Sequence, residues 1–141
     1  MHHPVLKLLK WAKDNGRRPR PDDARRLMTV NGELSELVAA LGITAPDWSL
    51  EQTQLQIQEA VASLTHYDDV VPTLSALTAK EIPLAIRSNL ASPYGGVLER
   101  LLANHQFIHC MSYEVGFIKP EPEIYRTVTE FAQVDPENVY L

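Results

Sequence analysis

Short apolar segments that alternate with helical patterns constrain the fold of residues 69–141 more than any other feature of this 141-residue sequence. Apolar runs over 82–86 and 107–111 have the length of buried strands, and a third run begins at Asn138. Helices are predicted between them, over 71–80, 94–103 and 122–133. Because strands that alternate with helices usually pair in parallel, the pattern predicts an α/β fold built on a small parallel sheet.

Residues 1–68 carry helical patterns only, and we predict two regions: an all-helical one over 1–68 and a partial α/β core over 69–141. Apolar spacing predicts helices over 4–15 and 22–41, although Gly32 costs the second about 1 kcal/mol relative to alanine. A third helix is predicted to begin near Ser49, which with Gln52 resembles a capping box, and to run to about residue 66. We expect this region to bury Leu55 and to pack both tryptophans, Trp11 and Trp48.

The composition excludes several classes of protein. Thirteen Lys and Arg residues against 18 Asp and Glu residues give a net charge of -5, which argues against general nucleic-acid binding. No apolar run is long enough to span a bilayer. Cys110 is the single cysteine, so an internal disulfide is excluded; we expect a buried thiol and a cytoplasmic protein. The histidines show no spacing typical of a zinc site.

Polar residues follow both predicted strands at the points where the strands end. Ser88 and Asn89 come directly after the first strand, and Gly116 and Lys119 lie just after the second. Because ligands bind at the carboxyl ends of parallel strands, a hydroxyl, backbone amides and a lysine are expected to meet there and to bind an oxyanion. Taken singly, Ser88-Asn89 is better explained as a turn and Lys119 as a surface charge, but the residues together, in this order, favour a site. Arg87 is a candidate anion ligand or a surface residue.

Two segments resemble motifs of the haloacid dehalogenase-like (HAD) hydrolase superfamily. Residues 83–89 (PLAIRSN) resemble motif II, and residues 113–125 (YEVGFIKPEPEIY) resemble motif III of the branch with a helical cap. The resemblance covers essentially the whole chain. It implies an incomplete HAD-like Rossmannoid parallel sheet with an N-terminal helical cap.

The resemblance also implies roles for individual residues. Ser88 would hydrogen-bond the transferred group, and Lys119 would neutralise the nucleophile and the phosphoryl oxygens. Independently of the resemblance, their positions at the same edge make Asn89, Gly116 and Arg87 candidate substrate-binding residues. The substrate implied is a small organic phosphate.

The sequence departs from the family where acidic residues are expected. Motif I, Asp-x-Asp-x-Thr, supplies the family's nucleophile, and no Asp-x-Asp occurs anywhere in these residues. The sequence begins where the first cap helix should begin and ends before the motif IV aspartate. We therefore expect no hydrolase activity from these residues alone, and Mg²⁺ only if acidic motifs are supplied from outside them. Three interpretations of the sequence stay open. It is a fragment or remnant of a phosphatase-type hydrolase, a catalytically dead partner-binding or regulatory module, or a non-functional gene fragment.

The absence of motif I from these residues also affects the predicted sheet. In the family, the strand bearing motif I lies between the strand that ends at Ser88 and the strand that begins near Asn138. Without it, two apolar strand edges remain unpaired, and unpaired edges invite pairing with another chain. We therefore expect self-association or a protein partner at the open sheet edge.

Overall fold

The computed structural model describes residues 4–140, which contain eight α-helices, two short 3-10 helices and a two-stranded sheet. The α-helices are α1 (Pro4–Asp14), α2 (Asp23–Thr29), α3 (Leu34–Ala40), α4 (Asp47–Ser63), α5 (Val70–Thr78), α6 (Val97–Leu101), α7 (Ser112–Val115) and α8 (Pro122–Ala132). The strands are β1 (Ala85–Ser88) and β2 (Ile108–Met111), and short 3-10 helices cover Ser92–Tyr94 and Pro136–Asn138. No helix among the described residues is long and apolar enough to cross a membrane.

The predicted parallel pairing is confirmed. β1 and β2 run parallel, with Ala85 opposite Ile108 and Ser88 opposite Met111. The first strand begins three residues later than predicted, because pairing starts where the Leu84 carbonyl accepts a hydrogen bond from the Ile108 N–H (2.8 Å). Pro83, just before this point, has no N–H to donate to a ladder.

The predicted third strand is absent from the described residues. Pro136–Asn138 forms a 3-10 helix, and Val139 is extended without a strand partner. Leu141, the last residue of the predicted strand, lies outside the described residues. Extended backbone becomes a strand only when a neighbour pairs with it, and residues 139–140 have none in this part of the chain.

The predicted helix over 22–41 is wrong in one respect: it is two helices. Gly32 adopts a φ of +151°, which breaks the helical path, and a Cβ there would lie 2.4 Å from Oε2 of Glu36. Glu33 then caps the start of α3, and its N–H donates a hydrogen bond to the Glu36 carboxylate (2.8 Å). The reciprocal cap favours a new helix start over continuation.

The boundaries of two other helices were also wrong. The helix predicted from Ser49 begins at Asp47, after Pro46, and ends at Ser63. The helix predicted over 94–103 is divided into a 3-10 helix and α6, with Gly95 and Gly96 between them.

The main buried cluster lies in the helical region. It joins Val5 and Leu8 of α1 to α2, α3 and α4, and it extends to Ala91 and Tyr94 after β1. Trp11 packs against this cluster as expected. Trp48 (64% exposed) and Leu55 (59% exposed) do not, because α4 buries Thr53 and Ile57 instead.

The α/β region buries a smaller set of side chains. Cys110 is fully buried as expected, and burial raises the pKa of its thiol. Met111 and Ser112, which follow Cys110 in sequence, are also buried, and so is Ile124 of α8. The apolar helix α5, in contrast, has no buried residue. One face of this region is therefore packed and another is left uncovered.

Candidate functional site

The loops that follow β1 and β2 start at the same edge of the sheet. Ser88 and Met111, the last residues of the two strands, are paired with each other. The buried Ser112 then joins the loops, since its hydroxyl accepts a hydrogen bond from the Leu90 N–H (3.0 Å) and donates one to the Leu90 carbonyl (3.2 Å). The Ser112 side chain thus holds together the two loops that were predicted to meet at the carboxyl ends of the strands.

Asn89 connects this edge directly to Lys119. The Asn89 Oδ1 accepts a hydrogen bond from the Lys119 N–H (2.7 Å), and the Asn89 Nδ2 donates one to the Lys119 carbonyl (3.2 Å). The amide side chain therefore holds the main chain of the lysine loop. A direct contact of Asn89 with substrate stays a prediction.

Two polar groups at this edge have no protein partner in the part of the chain that the structure describes. Among residues 4–140, neither the Ser88 hydroxyl nor the Lys119 ammonium makes a hydrogen bond or an ion pair. Ser88 is partly exposed and Lys119 is exposed. Both groups are therefore available to an incoming anion, while Asn89 fixes the backbone beneath the lysine.

Gly116 shapes the start of the lysine loop. It ends α7 in the left-handed conformation, with a φ of +76°, which glycine adopts at little cost. Its carbonyl oxygen accepts a hydrogen bond from the Arg25 guanidinium (2.9 Å). Gly116 thus acts on the loop through its backbone.

Arg25 and Glu121 are contributors that the sequence analysis did not identify. Arg25 donates hydrogen bonds to both carboxylate oxygens of Glu121 (2.7 and 3.2 Å), and Glu121 also accepts one from the Ile118 N–H (2.9 Å). The guanidinium holds the pKa of the Glu121 carboxyl below its ordinary value. Helix α2 is therefore tied to the lysine loop. The position of Glu121 between two prolines is a sequence signal that could have identified it. No local pattern identifies Arg25, which lies 96 residues from Glu121 in the sequence.

Arg87 lies apart from Ser88 and Lys119. Because successive side chains of a strand point to opposite faces, Arg87 and Ser88 face opposite sides of the sheet. The Arg87 guanidinium lies 3.8 Å from the centre of the Tyr125 ring on α8. Its Nε is buried and has no acceptor among the described residues. The structure thus brings Ser88, Asn89, Gly116 and Lys119 together but places Arg87 elsewhere.

The donor set at this edge does not fit a divalent metal. Mg²⁺ prefers carboxylate and water oxygens, whereas the edge offers a hydroxyl, an amide already engaged with the main chain, and a lysine. Residues 4–140 also contain no group of three or more His, Cys, Asp or Glu side chains placed to hold a metal ion. No catalytic step through Mg²⁺ can therefore be assigned to these residues.

Comparison with protein-family models identifies a family for this chain. The model described as haloacid dehalogenase-like hydrolase matches residues 5–141. Neither the curated proteins nor the solved structures contain a significant match.

Proposed function

The chain belongs to the haloacid dehalogenase-like hydrolase family, and from this premise we propose that it carries the phosphoryl-binding half of a phosphatase-type site. The observation that supports this most is the pair of hydrogen bonds between the Asn89 side chain and the main chain of Lys119. They hold the two motif-like segments against each other, while the Ser88 hydroxyl and the Lys119 ammonium have no partner among the described residues. A hydroxyl donor and a cation suit the oxygens of a small organic phosphate.

We further propose that these 141 residues do not hydrolyse phosphate esters by themselves. The phosphatase-type reaction of this family passes through an aspartyl-phosphate, which needs a carboxylate nucleophile at the bound phosphorus. Asp22 and Asp23 are engaged with Arg26 and Arg17 in the helical region, and no Asp-x-Asp pair occurs in the sequence. Nucleophile and Mg²⁺ ligands would have to come from other residues. The single cysteine supports a cytoplasmic location, as part of the same proposal.

Two measurements on the purified 141-residue protein test this proposal. With Mg²⁺ and p-nitrophenyl phosphate, we expect no nitrophenol release above buffer. Inorganic phosphate, followed by ³¹P NMR, should still bind weakly, and Lys119→Ala should weaken that binding about tenfold because a charge-assisted hydrogen bond is lost. Lys80→Ala, which removes an exposed lysine after α5, is the matched control and should leave binding unchanged.

The outcomes separate the two parts of the proposal. Mg²⁺-dependent turnover that disappears in Lys119→Ala would show that the chain is an active hydrolase. Equal phosphate binding by both lysine variants would show that Lys119 is only a surface charge.

The second candidate function is that of a catalytically inactive partner-binding module. It is favoured by a separate observation: among the described residues β1 pairs only with β2, and the apolar helix α5 that precedes it in the chain has no buried residue. An uncovered apolar sheet edge is a common site of strand addition by a partner. Binding through this edge does not require catalysis, so the two candidates are tested independently.

A further inference from the structure

Positive and negative charges are unevenly distributed along this sequence. Residues 1–29 carry eight Lys and Arg and three Asp, a net charge of +5. Residues 30–141 carry five Lys and Arg and fifteen Asp and Glu, a net charge of -10. Such an asymmetry allows opposite charges of two copies to attract each other although the copies carry the same net charge. The helical region contains one distinct surface of each sign.

The positive surface is a groove of about 570 Å³ lined by residues of α1, α2 and the loop that joins them. Four of the lining residues have the i, i+3, i+4, i+7 spacing of a single face of α1: Leu6, Leu9, Lys10 and Lys13. Leu6 is 52% exposed, so part of the apolar lining is open to solvent. We call this surface the basic groove.

The charges of the basic groove are not neutralised within the described residues. Among residues 4–140, the side chains of Lys10, Lys13 and Arg20 are exposed and make no hydrogen bond or ion pair. Asp23 is the single acidic residue among the described residues that line the groove, and it is already paired with Arg17. A carboxylate brought by another molecule would therefore meet three cations that have no partner in this part of the chain.

The negative surface is an exposed face of α4. Four residues succeed one another there at intervals of three and four positions, and so lie on one side of this 17-residue helix: Trp48, Glu51, Leu55 and Glu59. All four are exposed, although two of them are large and apolar. Neither glutamate has an ion-pair partner among residues 4–140. We call this surface the acidic face.

The acidic face and the basic groove are complementary, and the structure keeps them apart within one molecule. Each combines apolar side chains with unpaired charges of one sign, and no described residue of α4 lines the basic groove. Insertion of a helix face into a groove of matching chemistry is a common mode of recognition. Trp48 and Leu55, about 10 Å apart along α4, would enter the groove while the glutamates approach the lysines.

The basic groove is less suited to two other anionic partners. A membrane-surface helix inserts its apolar face into the bilayer, whereas Val5 and Leu8 of α1 are buried inside the protein. Proteins that bind single-stranded nucleic acid stack bases on aromatic side chains, and none of the described residues that line the groove is aromatic. An acidic helix face with exposed apolar side chains fits better, and this chain itself carries one.

We propose that the acidic face of one copy of this chain binds in the basic groove of a second copy. The two copies contribute different surfaces, so a bound pair still offers one unoccupied groove and one unoccupied face, and association produces chains or a ring. The inference goes beyond both candidate functions. It depends on α1, α2 and α4, and not on Ser88, Lys119 or the strands.

Sedimentation velocity of the full 141-residue protein tests the proposal. We expect the weight-average sedimentation coefficient to rise between about 10 µM and about 1 mM protein, the range of weak contacts. The rise should shrink when NaCl is raised from about 0.05 M to about 0.5 M, because salt screens the charges. Tryptophan emission should shift to the blue as Trp48 leaves water. Trp48→Phe should abolish this shift, since Trp11 is already packed against the buried cluster.

Charge reversal locates the two surfaces. The groove variant is Lys10→Glu/Lys13→Glu, and the face variant is Glu51→Lys/Glu59→Lys; each alone should be monomeric. Mixed in equal amounts, they should form a one-to-one complex, because the groove variant keeps its acidic face and the face variant keeps its basic groove. Unfolding of either variant would not produce such a complex.

The matched control for the face variant is Asp68→Lys/Glu137→Lys. It makes the same change in net charge at exposed positions outside both surfaces, and it should associate like the wild type. Leu55→Ser tests the apolar part of the contact and should weaken association about tenfold. Circular dichroism of each variant shows whether the fold is retained.

Three results would overturn the proposal. The first is a monomer at every concentration; if phosphatidylserine vesicles or oligothymidylate then bind the wild type and not the groove variant, the groove serves another anion. The second is self-association that is undiminished in both variants. The third is stronger association of the face variant, which would indicate that two acidic faces meet. None of these measurements involves phosphate binding, so failure here is distinguishable from failure of the proposed phosphoryl site.

Discussion

Ser112→Ala is predicted to destabilise the protein by separating the loops that follow β1 and β2. Ser112 is fully buried, and its hydroxyl satisfies both the N–H and the carbonyl of Leu90. Removing it leaves two backbone groups without a partner, each worth about 1–3 kcal/mol if water is excluded. Because Leu90 is only partly buried, water can reach these groups in part. We expect the free energy of unfolding to fall by about 1–2 kcal/mol in total.

Urea denaturation followed by circular dichroism measures this loss. Ser63→Ala is the matched control: the exposed Ser63 hydroxyl bonds only to the Ala60 carbonyl within α4, so its removal should change stability by less than about 0.5 kcal/mol. Both variants should keep the wild-type dependence on urea, since neither changes the surface exposed on unfolding. Ser112→Ala as stable as Ser63→Ala would refute the idea that one hydroxyl fastens the site's two loops.

The remaining predictions concern charged groups that position the helical region. A hydrogen bond from Arg17 lowers the pKa of Asp23 to about 2 from an ordinary 3.8, so Asp23 stabilises the fold fully above about pH 4 and loses this contribution as pH falls towards 2. The cost of Asp23→Asn, about 2 kcal/mol at pH 7 by urea denaturation, should therefore shrink at pH 2.5; an equal cost at both pH values would contradict it. Arg25→Met should cost at most about 1 kcal/mol because the pair with Glu121 is partly exposed, yet it should speed hydrogen exchange at Ile118. Unchanged exchange there would show that Arg25 does not order the lysine loop.

The sequence was most informative where a short-range rule and the fold agree. Parallel pairing of β1 and β2 followed from alternation of strands and helices, and the meeting of Asn89 with Lys119 followed from the rule that places ligands at the carboxyl ends of strands. Both predictions rest on the sequence in which strands, helices and loops follow one another along the chain. Arg25 was not predictable in this way, because its two acceptors lie 91 and 96 residues away and nothing near it in sequence indicates them.

The errors in the helical region have local causes. Apolar spacing continues from Leu27 to Leu41 and suggests one helix, but the conformation of Gly32 and the cap formed by Glu33 divide it. Spacing also identifies an apolar face without showing whether anything covers it. Leu55 has the correct spacing on α4 and yet remains exposed, since α1 and α3 pack against a different face.

The missing third strand and the unburied helix α5 have a common explanation. A strand is defined by its neighbour, and among the described residues Val139 is extended without one. Leu77 of α5 lines the same cavity of about 620 Å³ as Ala85 of β1 and Val139, so both elements border space that no described strand fills. The apolar patterns of residues 69–141 therefore describe a wider sheet than the two strands in the described residues.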